Sequence, residues 1–200
     1  MRLKLFPPLS LALSLLTLLH PAFSQTSPAG YSGRSIPITV GAGISVLNID
    51  WGPNEHMLGP TLWINYFPPK LPRMLDGLAV DVEGRDVNYL RPPGIPNNFR
   101  YDTATGGPIY YWRHFRDFQV YGKGLIGFGS FDFRAYSTPY YTHETRTVFA
   151  PGGGFLIHGY RNVWVRADYE YQFWPDLFTR TLDPQGFTFG AVYDFRGYRR

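Results

Sequence analysis

The sequence predicts an all-β fold, namely an eight-stranded antiparallel up-and-down barrel that spans a membrane. Three observations predict it. Aromatic residues make up 18% of the chain, and 22 glycines and 18 prolines interrupt any pattern long enough for a helix. Eight segments alternate apolar with small or polar residues, which is the period of a strand. Charged residues of these segments fall opposite the apolar face, the reverse of a soluble barrel.

The chain begins with the pattern of an export signal. Arg2 and Lys4 form a basic start, and the apolar segment 9–19 is too short to cross a bilayer as a helix. Small residues before position 25 predict cleavage there. The predicted organisation is a signal peptide at 1–24, a short periplasmic leader at 25–34, a barrel at 35–195 and a C-terminal tail at 196–200.

Composition excludes several classes of protein. The chain has no cysteine, so a lipoprotein anchor, a disulfide framework and a thiolate metal site are excluded. The formal charge is only +4, and the lysine and arginine residues are dispersed, so nucleic acid is not an expected partner.

The first two predicted strands are 36–46 and 58–67. The first places isoleucine and valine on one face against glycine, threonine and serine on the other. Near Leu47 the phase changes, because Ile49 and Trp51 take the other parity. This change predicts a bulge or the end of the strand.

The third strand, 77–89, has a clearer pattern than the fourth. Its apolar residues share one face, and three ionisable residues share the opposite face: Asp81, Glu83 and Arg85. The fourth strand, 100–113, is irregular because Gly106, Gly107 and Pro108 interrupt it.

The remaining predicted strands are 118–133, 145–158, 163–173 and 186–195. Lys123 lies on the polar face of the fifth, and Gly152 to Gly154 predict a bend or a close approach in the sixth. The seventh alternates strictly and has its own charged residues opposite the apolar face: Arg166, Asp168 and Glu170.

The links between strands alternate in length. Short turns are predicted at 68–74, 114–117 and 159–162, and longer loops at 88–98, 134–144 and 174–185. Outer-membrane barrels have short periplasmic turns and longer outer loops. Only the short link 52–57 departs from this pattern.

The closing strand carries a family resemblance. Residues 188–195 resemble the C-terminal β-signal that the barrel-assembly machinery reads, with Thr188, Gly190, Tyr193 and Phe195 in the matching positions. Five residues follow Phe195, whereas many such proteins end there. With the export signal and the loop pattern, the chain resembles small bacterial outer-membrane barrels of the outer-membrane protein A and outer-membrane protein X type. The resemblance implies outer-membrane lipid and the assembly machinery as partners, and a monomer.

The inward charges form the main candidate site. Asp81, Glu83, Arg85, Lys123, Arg166, Asp168 and Glu170 are predicted to form one network across the lumen. Buried charges must be paired, and a narrow barrel fills its interior with such pairs, so plugging is favoured over a gated ion path.

Other candidate chemistry is sparse. The five histidines lack the spacing of metal ligands, so no metal, no cofactor and no catalytic residue is predicted. Ser137, His143 and Glu144 share one predicted outer loop, but no nucleophile elbow accompanies them. The glycine run 152–154 lacks the lysine of a phosphate-binding loop.

The sequence therefore predicts a non-enzymatic integral outer-membrane protein that contributes to envelope structure, or to surface interaction through its outer loops. Two of these loops, 91–96 and 136–141, are rich in proline and tyrosine. Three alternatives stay open: a narrow ion or solute channel, a soluble exported ligand-binding barrel, and a lipid A-modifying enzyme.

Overall fold

The chain folds into a closed antiparallel barrel of eight strands, which confirms the predicted fold class. The computed structural model describes residues 36–49, 55–89, 98–112, 117–134, 141–177 and 180–196. The predicted signal peptide and leader, parts of the predicted loops, and residues 197–200 of the predicted tail lie outside the described residues.

Ten strands are present in the described residues, and eight of them form the barrel. They are β1 (Ile38–Ile49), β2 (Glu55–Tyr66), β3 (Leu78–Tyr89), β4 (Asn98–Trp112), β5 (Phe118–Arg134), β6 (Tyr141–Tyr160), β7 (Val163–Tyr171), β8 (Trp174–Leu177), β9 (Arg180–Leu182) and β10 (Gln185–Asp194). β8 and β9 pair only with each other, and β10 pairs with β1 to close the barrel. No helix among the described residues is long and apolar enough to cross a bilayer.

The strands are staggered around the barrel. A row of paired residues that starts at Val46 and passes through β2 to β5 reaches β6 at His143. The same row followed through β10 and β7 reaches β6 at Gly153, ten residues further along. In a barrel of eight strands such a stagger requires the strands to tilt by about 40°. The interior is then just wide enough to be filled by side chains.

The apolar face of the barrel points outward. Leu62, Val82 and Phe128 are 63%, 58% and 67% exposed, and comparable side chains surround the barrel on every strand of the ladder. By contrast, Asp81 and Arg166 point into the lumen and are 0% and 1% exposed. The alternative of a soluble barrel needs the apolar face inside, and it does not fit this arrangement.

The structure corrects two sequence expectations about strand regularity in part. β1 contains no bulge near Leu47, because its pairing with β10 runs without interruption from Thr39 to Asn48. Leu47 and Ile49 point inward and are 1% and 5% exposed, so the lumen itself becomes apolar there. The interruption predicted in β4 is smaller than expected, because the pairing with β5 skips Gly107 and Pro108 and then continues in the same register.

At one end of the barrel, three strands extend beyond the others. These strands are β4, β5 and β6, with 15, 17 and 20 residues, whereas β7 has 9. We call this end the outer end, and we call residues 98–102, 130–134 and 141–147 the ridge. In the predicted loop 134–144, residues 134 and 141–144 are strand and residues 135–140 lie outside the described residues. His143 and Glu144 pair with Asp132 and Phe131 of β5. The predicted loop 174–185 contains the β8–β9 hairpin, which the sequence did not reveal.

Candidate functional site

The lumen is filled by side chains in three layers. The central layer holds the seven predicted charged residues, each at most 6% exposed, and we call it the ion cluster. The outer plug consists of Leu47, Ile49, Met57, Val87, Tyr101, Leu125, Phe131, Val148, Ala150, Trp174 and Leu182. The inner plug consists of Trp63, Phe67, Ala79, Ile109, Tyr111, Tyr121, Leu156, Trp164 and Val192.

Strand periodicity places the ion cluster. Alternate residues of a strand share a face, so the charged residues of β3 and those of β7 all point into the lumen. Lys123 reaches the same level from β5, which lies between β3 and β7 in the ring. The structure thus brings together all seven residues that the sequence placed on the inward face.

Lys123 lies at the centre of the cluster. Its Nζ is 2.6 Å from Oε2 of Glu170, 2.8 Å from Oε2 of Glu83 and 3.5 Å from Oδ1 of Asp168. An ammonium group carries three donors and no acceptor, so one lysine can serve three carboxylates. Lys123 therefore links β3 to β7 across the lumen.

Two arginines complete the pairing. Arg85 donates to Glu83, and its Nη1 lies 2.8 Å from Oε1 of Glu170. Arg166 places Nε 2.6 Å from Oδ2 of Asp168 and Nη2 3.4 Å from Oε2 of Glu83. Its guanidinium group also lies 4.4 Å from the ring centroid of Trp63, where the electron-rich face favours a cation.

On the opposite wall of the lumen, hydroxyl groups replace charges. Ser45 Oγ lies 2.5 Å from Thr61 Oγ1 and 2.7 Å from Thr188 Oγ1, so one chain of hydroxyls crosses β2, β1 and β10. Arg85 Nε donates to Thr61 Oγ1 over 3.3 Å. The central layer is therefore polar on all of these walls, and Arg85 joins the hydroxyl chain to the ion cluster.

The outer plug depends on a segment that is not part of the barrel ladder. Trp174 at the start of β8 is fully buried, and its ring centroid lies 5.1 Å from that of Tyr101. Its indole Nε1 donates to Oε1 of Gln172 over 3.1 Å, and the Tyr101 hydroxyl donates to the same oxygen. A Cβ at Gly129 would overlap the Trp174 ring, so glycine is required there. The sequence offered one signal for this role, since Trp174 continues the inward parity of β7.

The inner plug is aromatic, and the first residue of the predicted tail covers it. The rings of Phe67 and Tyr111 lie 5.5 Å apart, and those of Tyr111 and Tyr121 lie 5.4 Å apart. The Arg196 guanidinium lies 3.6 Å from the Phe67 ring centroid, and its Nη2 is 2.6 Å from Oδ2 of Asp194. Arg196 therefore folds back over the inner end of the lumen.

The four residues that resemble an assembly signal face two ways. Tyr193 and Phe195 point outward, 45% and 44% exposed, with ring centroids 4.7 Å apart. Thr188 and Gly190 face the lumen, where Thr188 joins the hydroxyl chain and a Cβ at Gly190 would lie 2.6 Å from the Trp63 ring. Packing in the finished barrel thus provides its own reason for these two residue types.

The ridge carries one polar arrangement that the sequence did not anticipate. His143 Nδ1 lies 2.5 Å from Oδ1 of Asp132, and its Nε2 lies 3.3 Å from Oγ1 of Thr145. An acid, a histidine and a hydroxyl in this order also occur in catalytic triads. Glu144 contacts Arg146 instead, and Ser137 lies outside the described residues. Within the described ranges, no group of three or more potential ligands could hold a metal ion.

Comparisons with known proteins support the fold. No family model and no curated protein matches the chain. Among solved structures, the fold is similar to Neisserial surface protein A, with a TM-score of 0.64, 12% identity, and coverage of 79% of this chain and 97% of that one. It is also similar to Ail, the attachment invasion locus protein of Yersinia pestis, with a TM-score of 0.56, 18% identity, and coverage of 78% and 96%. The outer membrane protein OprG of Pseudomonas aeruginosa matches with a TM-score of 0.51, 13% identity, and coverage of 78% and 94%.

Proposed function

We propose that the chain is an integral, non-enzymatic protein of a bacterial outer membrane, which stabilises the envelope or binds a partner at the cell surface through its outer end. The reversed polarity of the barrel carries this proposal. A continuous apolar exterior around a charged interior is unfavourable in water and favourable in lipid.

Aromatic pairs at the inner end support a membrane boundary. The rings of Tyr110 and Trp112 lie 5.2 Å apart on the outer surface of β4, and those of Phe118 and Phe155 lie 5.8 Å apart on β5 and β6. Transmembrane barrels place such aromatic girdles at both interfaces of an apolar band about 25 Å tall. The fold that the chain shares with the outer membrane protein OprG supports this localisation.

Fluorescence quenching by lipid-attached quenchers tests the proposal. Trp112 is 49% exposed on the outward face, whereas Trp164 is 7% exposed and faces the lumen. In variants that retain a single tryptophan, we expect strong quenching of Trp112 and little quenching of Trp164. The reverse order, or purification as a soluble periplasmic monomer, would contradict a membrane barrel.

The ridge is the proposed contact surface at the outer end. Its outward side chains combine both charges, as in the pairing of Arg100 with Asp86 and Asp102, at 3.1 and 3.0 Å. One solved structure of Ail is a complex with the heparin analogue sucrose octasulfate. The ridge carries as many acidic as basic residues and so has no net positive charge to attract a polyanion, and we therefore propose a protein partner for this chain.

Complementation of a deletion strain separates the two roles. The wild-type gene is compared with a double variant, Arg100→Glu and Arg146→Glu, which reverses two exposed charges of the ridge and leaves the lumen intact. If the protein binds a surface partner, the variant restores resistance to detergents but not attachment to host or neighbouring cells. If the double variant restores detergent resistance and attachment as fully as the wild-type gene does, the ridge is not a contact surface.

The filled lumen favours a closed barrel over the channel alternative. An ion would have to cross both plugs and the ion cluster, whose described side chains fill three successive layers of the lumen. In planar bilayers we expect no single-channel current from the wild-type protein. A reproducible current would support the channel instead.

The contact of Asp132, His143 and Thr145 gives the enzyme alternative a specific test. Mass spectrometry of lipid A from cells with the wild-type protein, with His143→Ala and without the protein should give three identical profiles. A change that depends on His143 would establish a lipid A-modifying enzyme.

A further inference from the structure

One carboxylate of the ion cluster differs from the other three. Glu83, Asp168 and Glu170 each lie within 3.5 Å of at least two cationic groups. The nearest cationic atom to Asp81 is Arg166 Nη2, at 3.8 Å. Neither oxygen of Asp81 accepts a hydrogen bond from a described residue, although the side chain is 0% exposed. Asp81 is therefore buried and poorly paired.

The charge count of the cluster has a matching imbalance. Four carboxylates face three cations, Arg85, Lys123 and Arg166, in the described part of the lumen. The two plugs cover this layer from both ends. A buried charge without a partner costs several kcal/mol, and such a group becomes neutral instead. The surplus of one negative charge would disappear if one carboxylate held a proton.

A hydrogen-bond acceptor for that proton lies opposite Asp81. Asn65 of β2 pairs with Asp81 of β3 across the strands, and both side chains face the lumen. Asn65 Nδ2 donates to Thr39 Oγ1 over 3.0 Å, whereas its Oδ1 accepts no hydrogen bond from a described residue. A protonated carboxyl group has one O–H donor. Such a donor on Asp81 would give Oδ1 of Asn65 the hydrogen bond that it does not receive from another described residue.

We propose that Asp81 is a buried proton-binding site, a neutral carboxylic acid that donates to Oδ1 of Asn65 and balances the charge of the lumen. The charged and titratable groups that face it are Glu83 on β3, Tyr111 on β4, Lys123 on β5, and Arg166 and Asp168 on β7. Loss of the proton would draw Arg166 away from Asp168 and Glu83. Asp81 is thus the carboxylate of the cluster whose charge can change without first breaking a close ion pair.

Infrared spectroscopy of the purified, folded protein tests this directly. A protonated carboxylic acid has a C=O stretching band separate from the carboxylate bands, and the band shifts when the proton is exchanged for deuterium. We expect this band in the wild-type protein near neutral pH, its loss in Asp81→Asn, and its retention in the matched control Asp102→Asn, which alters a half-buried carboxylate outside the lumen. Absence of the band, or its survival in Asp81→Asn, would overturn the proposal.

Stability provides a second measurement that does not depend on the band. Asp81→Asn keeps a neutral side chain and should unfold at a urea concentration close to that of the wild type, whereas Asp168→Asn should unfold at a clearly lower one. If Asp81→Asn loses as much stability as Asp168→Asn, or more, a neutral Asp81 is contradicted. If the band is absent and sodium or potassium ions stabilise the protein instead, a bound cation replaces the proton and the proposal fails. If Asp81→Asn does not fold, Asn65→Ala replaces it, and a C=O band unchanged in frequency in that variant overturns the pairing with Asn65.

Discussion

The ion cluster and the outer plug are adjacent layers of one lumen, but they are held in place differently. Every charged residue of the cluster lies on a strand of the closed ladder. The outer plug takes Trp174 and Leu182 from β8 and β9, which pair only with each other. The position of the cluster thus follows from the barrel itself, whereas the plug also requires the β8–β9 hairpin, which follows β7 beyond the bridge between Phe173 and Phe149.

The largest expected effect is on the cluster. Lys123→Ala leaves Glu83 and Glu170 without their 2.8 and 2.6 Å contacts inside the lumen. Breaking a buried ion pair from one side costs about 3–5 kcal/mol. We expect a loss of this size in the free energy of unfolding, measured by urea titration in lipid vesicles.

A double variant provides the control for Lys123. Lys123→Met combined with Glu83→Gln removes one charge of each sign, so it should lose less than the sum of the two single substitutions. Strict additivity would show that the two groups are not coupled. In planar bilayers, Lys123→Ala and Arg166→Ala should stay silent if the charges are structural, and an altered current would favour a path through them.

The outer plug should be somewhat less sensitive. Trp174→Ala removes a fully buried ring and leaves a cavity against Tyr101, which typically costs about 3–5 kcal/mol in a rigid core. We expect about 3 kcal/mol, because a segment outside the ladder can readjust. Phe173→Ala is the matched control, since Phe173 is 40% exposed on the outward face. If both variants lose the same amount, the inward position of Trp174 is unimportant.

The smallest effect is expected at the inner end. Arg196→Ala removes a partly exposed contact with Asp194 and the Phe67 ring. Pairs of this kind contribute below about 1 kcal/mol. Trp164 lines the small cleft at the inner end that Arg196 and Phe67 also line, so its fluorescence is a local probe. Its emission should shift slightly as water enters this cleft. A loss as large as that of Trp174→Ala would make the predicted tail an essential part of the barrel.

The same contrast explains what could be predicted from the sequence. Alternation identifies the two faces only where one is apolar and the other polar, as on β3 and β7. At the outer end both faces of the strand are apolar. The inward residues Leu47 and Ile49 therefore suggested that the apolar face had switched sides, although the pairing of β1 with β10 is uninterrupted. The contrast that carries the signal is lost wherever the lumen is plugged by hydrophobic residues.

Contacts made outside the ladder could not be predicted. The predicted strand ended at position 173, and although Trp174 continues its inward parity, this parity does not reveal the contact of Trp174 with Tyr101 on β4. The ridge was missed for a related reason. Polar residues on both faces of β6 near His143 resemble a loop, because the solvated part of a strand lacks an apolar side.

The pairing of β1 with β10 has a consequence for how the barrel is made. Thr39 pairs with Asp194, so this seam joins the two ends of the barrel sequence. Its paired residues have the largest sequence separation of any strand pair in the ladder. Contacts between distant residues form slowly because the intervening chain must first be ordered. Until the seam closes, β1 and β10 each expose an edge that can pair with another chain. The strand that resembles an assembly signal is one side of this seam, so a factor that held it would protect the edge that stays open longest.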